Sequence, residues 1–435
     1  MSQERVTIFF SVGEPSGDLH AANLMRAIRQ RRPDIEFVGY GGPKMEAAGC
    51  HLHTDLTALA VMWFLRVLLN IHKFALLVSR ADRYFRHQRP DAVVLVDYPG
   101  FNWWIARRAK AHGIPVFYYT PPQIWAWASW RIKKMRRFVD HILCSLPFEE
   151  TWFQEQGCRA TFVGHPFFDE VREHPLHAEF LAQQPPKSGP VVLILPGSRT
   201  QEVTQNLKMQ LHAAAIILSR FPETRFVLGA FRPKQAQLAR EMIDASGLPV
   251  ELFIRRTPEL MSICDCCLAV SGSVSLELLY WGRPTVVCYK ISRLAMRVQK
   301  YFRRVKYITL VNLLNADELF PADLTPYDPS QPDAEKVLFP EYLTCENRAQ
   351  QMADHVIGWL SDRGHYDQLV GRLKALRDKV GSGGASAQGA EYIVRHLEAR
   401  PVHVPRPHFL PSEDRQRLAE VRGLRPRGMV SGSRN

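Results

Sequence analysis

The stretch Val191-Val-Leu-Ile-Leu-Pro-Gly-Ser-Arg199 joins an apolar run to a tight turn of small residues, and a long segment of helical periodicity follows. The stretch Val6-Thr-Ile-Phe-Phe-Ser-Val-Gly-Glu-Pro-Ser-Gly-Asp18 has the same order near the start of the chain. A strand, a small-residue turn and a helix form an anion-binding unit, because unpaired backbone N–H groups and the positive helix end point at the ligand. Two such units predict two α/β domains that close on a cleft.

Apolar runs of strand length alternate with helical segments in both halves of the chain, and this alternation predicts mainly parallel sheets with helices on both faces. The predicted strands are 6–12, 37–40, 92–96, 116–119, 141–144 and 161–163, and then 191–195, 225–228, 250–254, 267–270 and 285–289. A polar, Pro-containing segment at 181–190 separates the two sets as a linker would. The sequence therefore predicts two doubly wound, Rossmann-like units of similar size.

We expect the first domain over 1–182 and the second over 190–345. Prolines punctuate the connection after Asn315, and three helix-like segments follow at about 345–362, 366–380 and 386–399, so C-terminal helices are expected over 346–400. The last residues, 401–435, are rich in Pro and Arg without apolar periodicity, and we interpret them as a mobile basic tail.

Composition bounds the class of protein. The chain has 435 residues, of which 46% are hydrophobic, enough for sizeable cores. Its start lacks the zones of a signal peptide, so we expect cytoplasmic residence, and no apolar run reaches the ~20 residues that span a bilayer. The spacing Cys264-Asp-Cys-Cys267 has no second pair, so we interpret these cysteines as buried thiols and assign no metal and no disulfide.

The net charge of +13 is concentrated in two clusters, Arg131–Arg137 and Arg293–Lys306, the second with six cations. Such clusters fit nucleic acid, anionic lipid headgroups or phosphorylated substrates equally well. In the second cluster, apolar side chains recur at helical spacing, which indicates an amphipathic helix. That helix is either a solvated surface element or a membrane- or phosphate-binding one.

Residues that directly follow the strands of a parallel sheet are the first candidates for chemistry. Asp97 ends the run Ala92–Val96, so it is either a general base or a cap of the next helix. Glu14 and Asp18 lie in the first turn and are candidates of the same kind. Asp18 is either a residue of the site or the N-cap of the helix that follows the turn.

The second half offers a further turn of this kind. The stretch Val270-Ser-Gly-Ser-Val-Ser-Leu-Glu277 repeats the strand, turn and helix order, so its amides and hydroxyls could hold a diphosphate and Glu277 a ribose. Arg199 adds a planar cation that suits phosphate oxygens.

Eight short segments occur in the order seen in lipid-A-disaccharide synthases, and together they resemble that family over about residues 8–397. They are Ser11-Val-Gly-Glu-Pro-Ser-Gly-Asp18, Phe37-Val-Gly-Tyr-Gly-Gly-Pro-Lys-Met45, Asp97-Tyr-Pro-Gly-Phe-Asn102, Pro122-Gln-Ile-Trp-Ala-Trp127, Val163-Gly-His-Pro166, Leu195-Pro-Gly-Ser-Arg199, Ser271-Gly-Ser-Val-Ser-Leu-Glu277 and Val311-Asn-Leu-Leu314. The resemblance implies a GT-B glycosyltransferase, an inverting hexosyltransferase of lipid A biosynthesis. It would join UDP-2,3-diacylglucosamine to 2,3-diacylglucosamine 1-phosphate and give a β-1,6-linked disaccharide and UDP.

The resemblance also implies residue roles. Asp97 would be the general base, and the donor site would use Arg199, Ser271, Gly272, Ser273, Glu277 and Asn312. The first turn, with Glu14, Ser16, Gly17 and Asp18, would lie on the acceptor side. No cofactor is implied, and the absence of any Asp-x-Asp pair in the sequence fits a reaction without a metal, in which cations and helix amides stabilise UDP.

Partners are implied as well. The family associates peripherally with the cytoplasmic face of the inner membrane, and the apolar segment 59–74 is either such a landing surface or an ordinary core helix. Homodimers with exchanged C-terminal segments are also implied, and no nucleic-acid partner is expected.

The chain departs from the family pattern at Pro15, Gly100 and 315–318. Gly100 stands where many members of the family have a second acidic residue, so Asp97 would act as base without a second carboxylate. The alternative functions are another GT-B enzyme of UDP-sugars, such as a UDP-N-acetylglucosamine epimerase or a transferase with a different lipid acceptor, and a non-catalytic protein that binds nucleic acid or membranes.

Overall fold

A computed structural model describes residues 6–60, 71–173, 175–381 and 383–399 of the chain. Thirteen strands in these ranges form two sheets. The strands of the first sheet are β1 (Thr7–Val12), β2 (Glu36–Gly41), β3 (Cys50–Asp55), β4 (Ala92–Val96), β5 (Val116–Tyr119), β6 (His141–Cys144) and β7 (Ala160–Phe162). Their order across the sheet is β3-β2-β1-β4-β5-β6-β7.

The second sheet has six strands in the order β10-β9-β8-β11-β12-β13, and all five of its pairings are parallel. The strands are β8 (Val191–Leu195), β9 (Arg225–Ala230), β10 (Val250–Ile254), β11 (Cys266–Ala269), β12 (Thr285–Lys290) and β13 (Glu341–Thr344). In both sheets the chain begins near the centre, moves to one edge and then returns past its starting strand. This order is the doubly wound arrangement that the alternating pattern predicts.

The helices of the first half are α1 (Pro15–Arg31), α2 (Pro43–Ala47), α3 (Leu56–Ala60), α4 (Ile71–Gln88), α5 (Pro99–Ala111), α6 (Ile124–Trp127), α7 (Ile132–Phe138), α8 (Pro147–Glu155), α9 (Pro166–Glu173) and α10 (Ala178–Ala182). Those of the second half are α11 (Thr200–Arg220), α12 (Pro233–Ser246), α13 (Thr257–Ile263), α14 (Val274–Tyr280), α15 (Arg293–Phe302), α16 (Leu310–Asn315), α17 (Ala349–Ser361), α18 (Arg363–Val380) and α19 (Ala385–Glu398). Short 3-10 turns lie at Ser129–Arg131 and Ala334–Lys336. The three helices expected after residue 345 are confirmed as α17, α18 and α19.

The central strands form because their side chains are apolar on both faces. Every residue of β4 and of β8 is buried, as is typical of parallel strands covered by helices on each side. In the first sheet, Phe9 packs its ring edge-on against Tyr40 and Phe85, with centroids 5.4 and 4.9 Å away. Such aromatic pairs stabilise the core by about 0.5–1.5 kcal/mol beyond area burial.

Two strands were absent from the sequence prediction, and both lie at sheet edges. The strand β3 has the mostly polar sequence Cys50-His-Leu-His-Thr-Asp55, and half of its residues are only half-buried, so it carries no alternating apolar signal. The strand β13 lies in the Pro-rich region that the sequence marks as irregular, and its Glu341 is buried. Both owe their extended form to pairing with a neighbouring strand.

By proximity, the chain divides into two compact units. Among the described residues, those within 6–119, 137–141 and 389–399 belong to the first unit, and those within 120–136 and 142–388 belong to the second. The second unit has a continuous apolar core around β8, β9 and β11. The domain boundaries expected at 182 and 190 stay a prediction.

Two sequence expectations reach beyond the described residues. The apolar segment 59–74 lies partly outside them, and the tail 401–435 lies wholly outside. Within the described ranges, no helix combines the length and apolar character needed to cross a bilayer. The thiols of Cys264, Cys266 and Cys267 are fully buried, which confirms the interpretation of that stretch as core.

Candidate active site

Asp97 lies where β4 ends, and its backbone is strained. The strands β1 and β4 pair in parallel with Val12 opposite Val96, so the residues that follow them reach the same edge of the sheet. Asp97 and the next residue, Tyr98, both have positive φ, 49° and 46°, before α5 begins at Pro99. Two consecutive non-glycine residues in this region cost free energy and occur mostly at functional sites.

A buried hydrogen-bond network holds that turn. The carbonyl oxygen of Asp97 accepts hydrogen bonds of 2.7 Å from the Asn102 side-chain amide and from the Tyr118 hydroxyl. The Asn102 carbonyl in turn accepts a 2.7 Å bond from the Ser11 hydroxyl, and Asn102 is wholly buried. These hydrogen bonds hold the main chain of Asp97, and none of them uses its carboxylate.

The electrostatics of this turn favour a proton acceptor that works near neutral pH. Burial raises the pKa of Asp97 to about 7, the negative charge of Glu14 adds to the rise, and a hydrogen bond from the Tyr98 backbone opposes it. Burial and Glu14 also raise the pKa of the Tyr98 phenol. A carboxyl group whose pKa is near 7 is matched to general base catalysis at cellular pH.

The first predicted turn lies beside Asp97. A Cβ on Gly17 would stand 3.9 Å from the Asp97 Cβ, and one on Gly13 would stand 2.2 Å from the Tyr98 ring. Glu14 and Ser16 are exposed at the start of α1, and Glu14 is its N-cap without a side-chain capping bond. The structure therefore brings Glu14, Gly17 and Asp97 together.

Asp18 has a structural partner instead. It is 2% exposed, and its carboxylate accepts hydrogen bonds of 2.9, 3.0 and 3.1 Å from the amides of Gly42, Lys44 and Met45. Asp18 thus caps α2, not its own helix as the sequence alternative had it, because α1 already begins at Pro15 and Asp18 lies within its first turn.

The second unit has two turns at one edge of its sheet, since β8 and β11 pair with Leu195 opposite Ala269. In the first of these turns, the Glu202 carboxylate accepts hydrogen bonds from the amides of Ser198 and Arg199, at 3.0 and 3.1 Å, and pairs with the Arg199 guanidinium at 3.1 Å. The Arg199 side chain is 75% exposed. An internal carboxylate therefore fills the position where the sequence predicts an external anion.

The second turn is more open. Gly272 and Ser273 are exposed, and a Cβ on Gly272 would meet nothing within 4 Å. The Ser271 hydroxyl donates a 2.7 Å hydrogen bond to the carbonyl of Ile308, which anchors the start of the turn. One turn further on, burial raises the pKa of Glu277 to about 7, and the nearby charges of Glu170 and Glu259 add to the rise.

Asn312 is engaged within the second unit. It is 2% exposed, and its amide group donates to the carbonyl of Phe339 at 2.7 Å and to Glu341 at 2.8 Å. Its side-chain oxygen accepts from the amides of Leu338 and Phe339 at 3.2 and 3.0 Å. For Asn312 to bind a UDP-sugar directly, one of these hydrogen bonds would have to be replaced by a bond to that ligand.

Sequence reasoning did not single out the residues that position the candidates: Ser11, Asn102, Tyr118, Glu202 and Glu341. Only Glu202 carried a local signal, because an acidic residue three positions after a helix N-cap is typical of a capping box. The others bind across the sheet or across long sequence separations. Within the described residues, no cluster of three His, Cys, Asp or Glu side chains is arranged to hold a metal.

The two doubly wound parallel sheets, with small-residue turns after their central strands, form the GT-B class of fold, which glycosyltransferases and UDP-GlcNAc 2-epimerases share. Solved structures with this fold include the UDP-GlcNAc 2-epimerase of Neisseria meningitidis bound to UDP-GlcNAc, with a TM-score of 0.57 and 12% identity over 91% of this chain and 99% of that one. The glycotransferase of kitacinnamycin has a TM-score of 0.56 and 17% identity over 91% of this chain and 100% of that one.

The chain belongs to the lipid-A-disaccharide synthetase family, whose family model matches residues 8–357. The lipid-A-disaccharide synthase of Geobacter sulfurreducens is 32% identical over 395 residues, which cover 90% of this chain and 97% of that protein. The resemblance stated from the eight segments is confirmed.

Proposed function

We propose that this chain transfers diacylglucosamine from UDP-2,3-diacylglucosamine to the 6-hydroxyl of 2,3-diacylglucosamine 1-phosphate. The products are the β-1,6-linked disaccharide 1-phosphate and UDP. The observation that carries the proposal is the strained, network-held turn at Asp97, whose pKa of about 7 suits a base acting on a sugar hydroxyl. Family membership supplies the substrate class.

In the proposed step, the Asp97 carboxylate takes the proton of the acceptor 6-hydroxyl while that oxygen attacks the anomeric carbon of the donor. The bond between the anomeric carbon and the UDP oxygen breaks with its electron pair, and attack from the opposite face inverts the centre. Glu14 favours the protonated form of Asp97 and so strengthens its carboxylate as a proton acceptor. After the transfer, the proton passes from Asp97 to solvent.

We propose that the donor is held by the second unit. The exposed Arg199 guanidinium would pair with diphosphate oxygens, and the open turn at Gly272 and Ser273 would offer backbone amides to them. Ser271 and Glu277 would complete the donor side, with Glu277 facing the ribose. Asn312 also stays a candidate for the donor site. Its hydrogen bond to Glu341 would hold the adjoining segment in place.

The chain would act as a peripheral protein on the cytoplasmic face of the inner membrane, because both substrates carry acyl chains. A homodimer with exchanged C-terminal segments stays a proposal from the family resemblance. Solution scattering or analytical ultracentrifugation of the full chain would measure the oligomeric state.

The test is UDP release from UDP-2,3-diacylglucosamine with and without acceptor, in detergent. The wild type should release UDP only with acceptor and yield the disaccharide by mass spectrometry. Asp97→Asn should lower kcat by about 10²–10⁴ with UDP affinity retained. Asp34→Asn, an exposed aspartate of the same unit, is the matched control and should leave turnover unchanged.

Two results would favour the epimerase alternative, whose fold this chain shares. One is consumption of UDP-2,3-diacylglucosamine without acceptor, and the other is conversion of UDP-N-acetylglucosamine to its 2-epimer. Full turnover by a folded Asp97→Asn protein would contradict the role of Asp97 as base.

A further inference from the structure

The helix α15 presents its apolar side to solvent. At 100° per residue, Leu294, Val298, Tyr301 and Phe302 lie on one face, and they are 70%, 48%, 88% and 50% exposed. No residue of the helix is buried. A surface helix of a globular protein ordinarily has the reverse arrangement, with its apolar stripe turned toward the core.

The opposite side of α15 is the side that meets the protein. Met296 and Gln299 are half-buried, and Arg303, which directly follows the helix, shares their side. The amide of Arg304 then donates a 2.9 Å hydrogen bond to the carbonyl of Ala126, which fixes the end of the helix against α6. The apolar stripe is therefore held outward by the fold.

Two exposed tryptophans of the same compact unit extend the stripe. The Trp130 ring, 56% exposed, lies 6.2 Å from the Phe302 ring, and Trp127 is 46% exposed with the Arg131 guanidinium 4.9 Å from its ring. The aromatic face, as we name it, consists of Trp127, Trp130, Leu294, Val298, Tyr301 and Phe302. Exposed apolar side chains gathered in this way mark interaction surfaces.

Cations border the aromatic face, and the sequence places no acidic residue in either of its segments, 121–139 or 291–316. The exposed cations of these segments within the second unit are Lys133, Lys134, Arg136, Arg293, Arg297, Lys300 and Arg304. Trp and Tyr side chains occupy membrane–water interfaces, and Lys and Arg bind anionic headgroups. The two chemistries occur together here.

We propose that the aromatic face docks on an anionic lipid bilayer, with α15 lying in the plane of the headgroups. The proposal deepens the proposed function, since it rests on peripheral attachment to a membrane and names the lipid class and the surface. At ten residues, α15 is far shorter than the ~20 that span a bilayer, so it lies on the membrane. Charge complementarity selects anionic over neutral lipid.

The test is co-sedimentation of the full chain with vesicles of phosphatidylcholine alone and of phosphatidylcholine mixed with phosphatidylglycerol. The wild type should bind the mixed vesicles more tightly, and salt should weaken the binding. The cation variant combines Arg293→Gln, Arg297→Gln and Lys300→Gln. It should bind on the order of 100-fold more weakly, at about tenfold or less for each cation removed.

The apolar variant combines Leu294→Ser and Tyr301→Ser. It should bind about tenfold or more weakly at every salt concentration, since it loses apolar insertion and keeps its charge. The control variant combines three exposed cations of the same unit, Lys208→Gln, Lys234→Gln and Arg240→Gln, and matches the loss of charge. It should bind as the wild type does.

The proposal would be overturned if the cation variant and the apolar variant bound vesicles as tightly as the wild type does. It would also be overturned if the control variant lost as much binding as the cation variant. Loss of binding to an RNA or DNA probe, with vesicle binding intact, would also overturn it. Acceptor-dependent UDP release in detergent is measured on the same proteins. Activity without vesicle binding refutes only the docking surface, and vesicle binding without activity refutes only the proposed function.

Discussion

At the scale of single residues, the chemistry of Asp97 depends on how its backbone is held. Its own carbonyl accepts two hydrogen bonds, from Asn102 and Tyr118, and these hold a left-handed turn that a free chain would leave. The same turn half-buries the carboxyl group beside Glu14, and burial is the main cause of its raised pKa.

The pH dependence of turnover should report that pKa. A general base acts only when it is deprotonated, so kcat/KM should rise about tenfold per pH unit below pH 7 and level off above it. Initial rates of UDP release across the pH range measure this. A profile that stays flat through neutral pH would contradict Asp97 as the titrating base.

Removal of the Glu14 charge should shift the rise of kcat/KM with pH, described above, to lower pH. Glu14→Gln removes a negative charge that favours protonated Asp97, so the pKa of Asp97 would fall and its carboxyl group would lose its proton at lower pH. Because Glu14 is exposed, solvent screening keeps the shift small. The exposed Glu46→Gln in the same unit is the control, and an equal shift there would show a general effect of net charge.

Tyr118→Phe tests the network itself. It removes one of the two donors to the Asp97 carbonyl, so we expect a loss of about 1 kcal/mol in the free energy of unfolding and a lower kcat with KM retained. Urea unfolding and UDP release measure the two effects. The matched control is Tyr301→Phe, which removes the hydroxyl of a residue that is 88% exposed and should change neither quantity.

At the scale of elements, turns of small residues decide which side chains can approach one another. At the end of β1, Gly13 leaves room for the Tyr98 ring, and at the end of β8 the φ of Gly197 is 111°. A Cβ on Gly197 would lie 2.5 Å from the Cβ of Glu202, so the glycine lets this capping residue close over the turn.

Gly13→Ala should disrupt the Asp97 turn. The added methyl would lie 2.2 Å from the Tyr98 ring, and we expect a destabilisation of about 1–3 kcal/mol together with loss of turnover. Gly100→Ala is the matched control, because its methyl meets nothing within 4 Å and it lies in the first turn of α5. The control should be neutral or slightly stabilising. Equal unfolding midpoints for the two variants would contradict the contact.

Glu202→Gln tests whether the turn before α11 binds diphosphate. The Glu202 carboxylate occupies the amides of Ser198 and Arg199 and carries a charge that would repel phosphate. Its neutralisation should therefore tighten UDP binding severalfold, as measured by calorimetry. Glu241→Gln, exposed on α12, is the control. Unchanged UDP affinity would indicate that the diphosphate binds elsewhere.

At the scale of the whole molecule, the two proposed tasks fall to different units: one unit binds the UDP-sugar donor and the other supplies the base that acts on the acceptor. The donor candidates around Arg199 and Ser271 belong to the second unit, and Asp97 belongs to the first. The excess of cations over acids, with a net charge of +13, suits a protein whose proposed substrates and membrane are anionic.

Transfer should continue in the presence of EDTA. The sequence has no Asp-x-Asp pair to bind a metal–diphosphate complex, and Arg199 with the turn amides would stabilise the departing UDP. Equal rates of UDP release with EDTA and with added Mg²⁺ are expected. A rate that falls with EDTA and returns with Mg²⁺ would contradict this mechanism.

Much of the architecture was open to prediction because its causes are local. Apolar runs such as Ala92–Val96 predict buried parallel strands, and residues directly after them predict the candidate site, including Asp97. The edge strands β3 and β13 were not predictable in this way, since Cys50–Asp55 and Glu341–Thr344 carry little apolar pattern and extend through pairing.

What the sequence by itself determined is the alternation of the inner strands with helices, the small-residue turns that follow those strands, and the family. What only the tertiary structure decided is the partner of each polar side chain. Asp18 caps a helix that begins 25 residues later, at Pro43, and Ser11 bonds Asn102 across 91 residues. The reason is physical: periodicity acts over one turn or one pleat, whereas a hydrogen bond or an outward-facing stripe such as that of α15 depends on packing of distant segments.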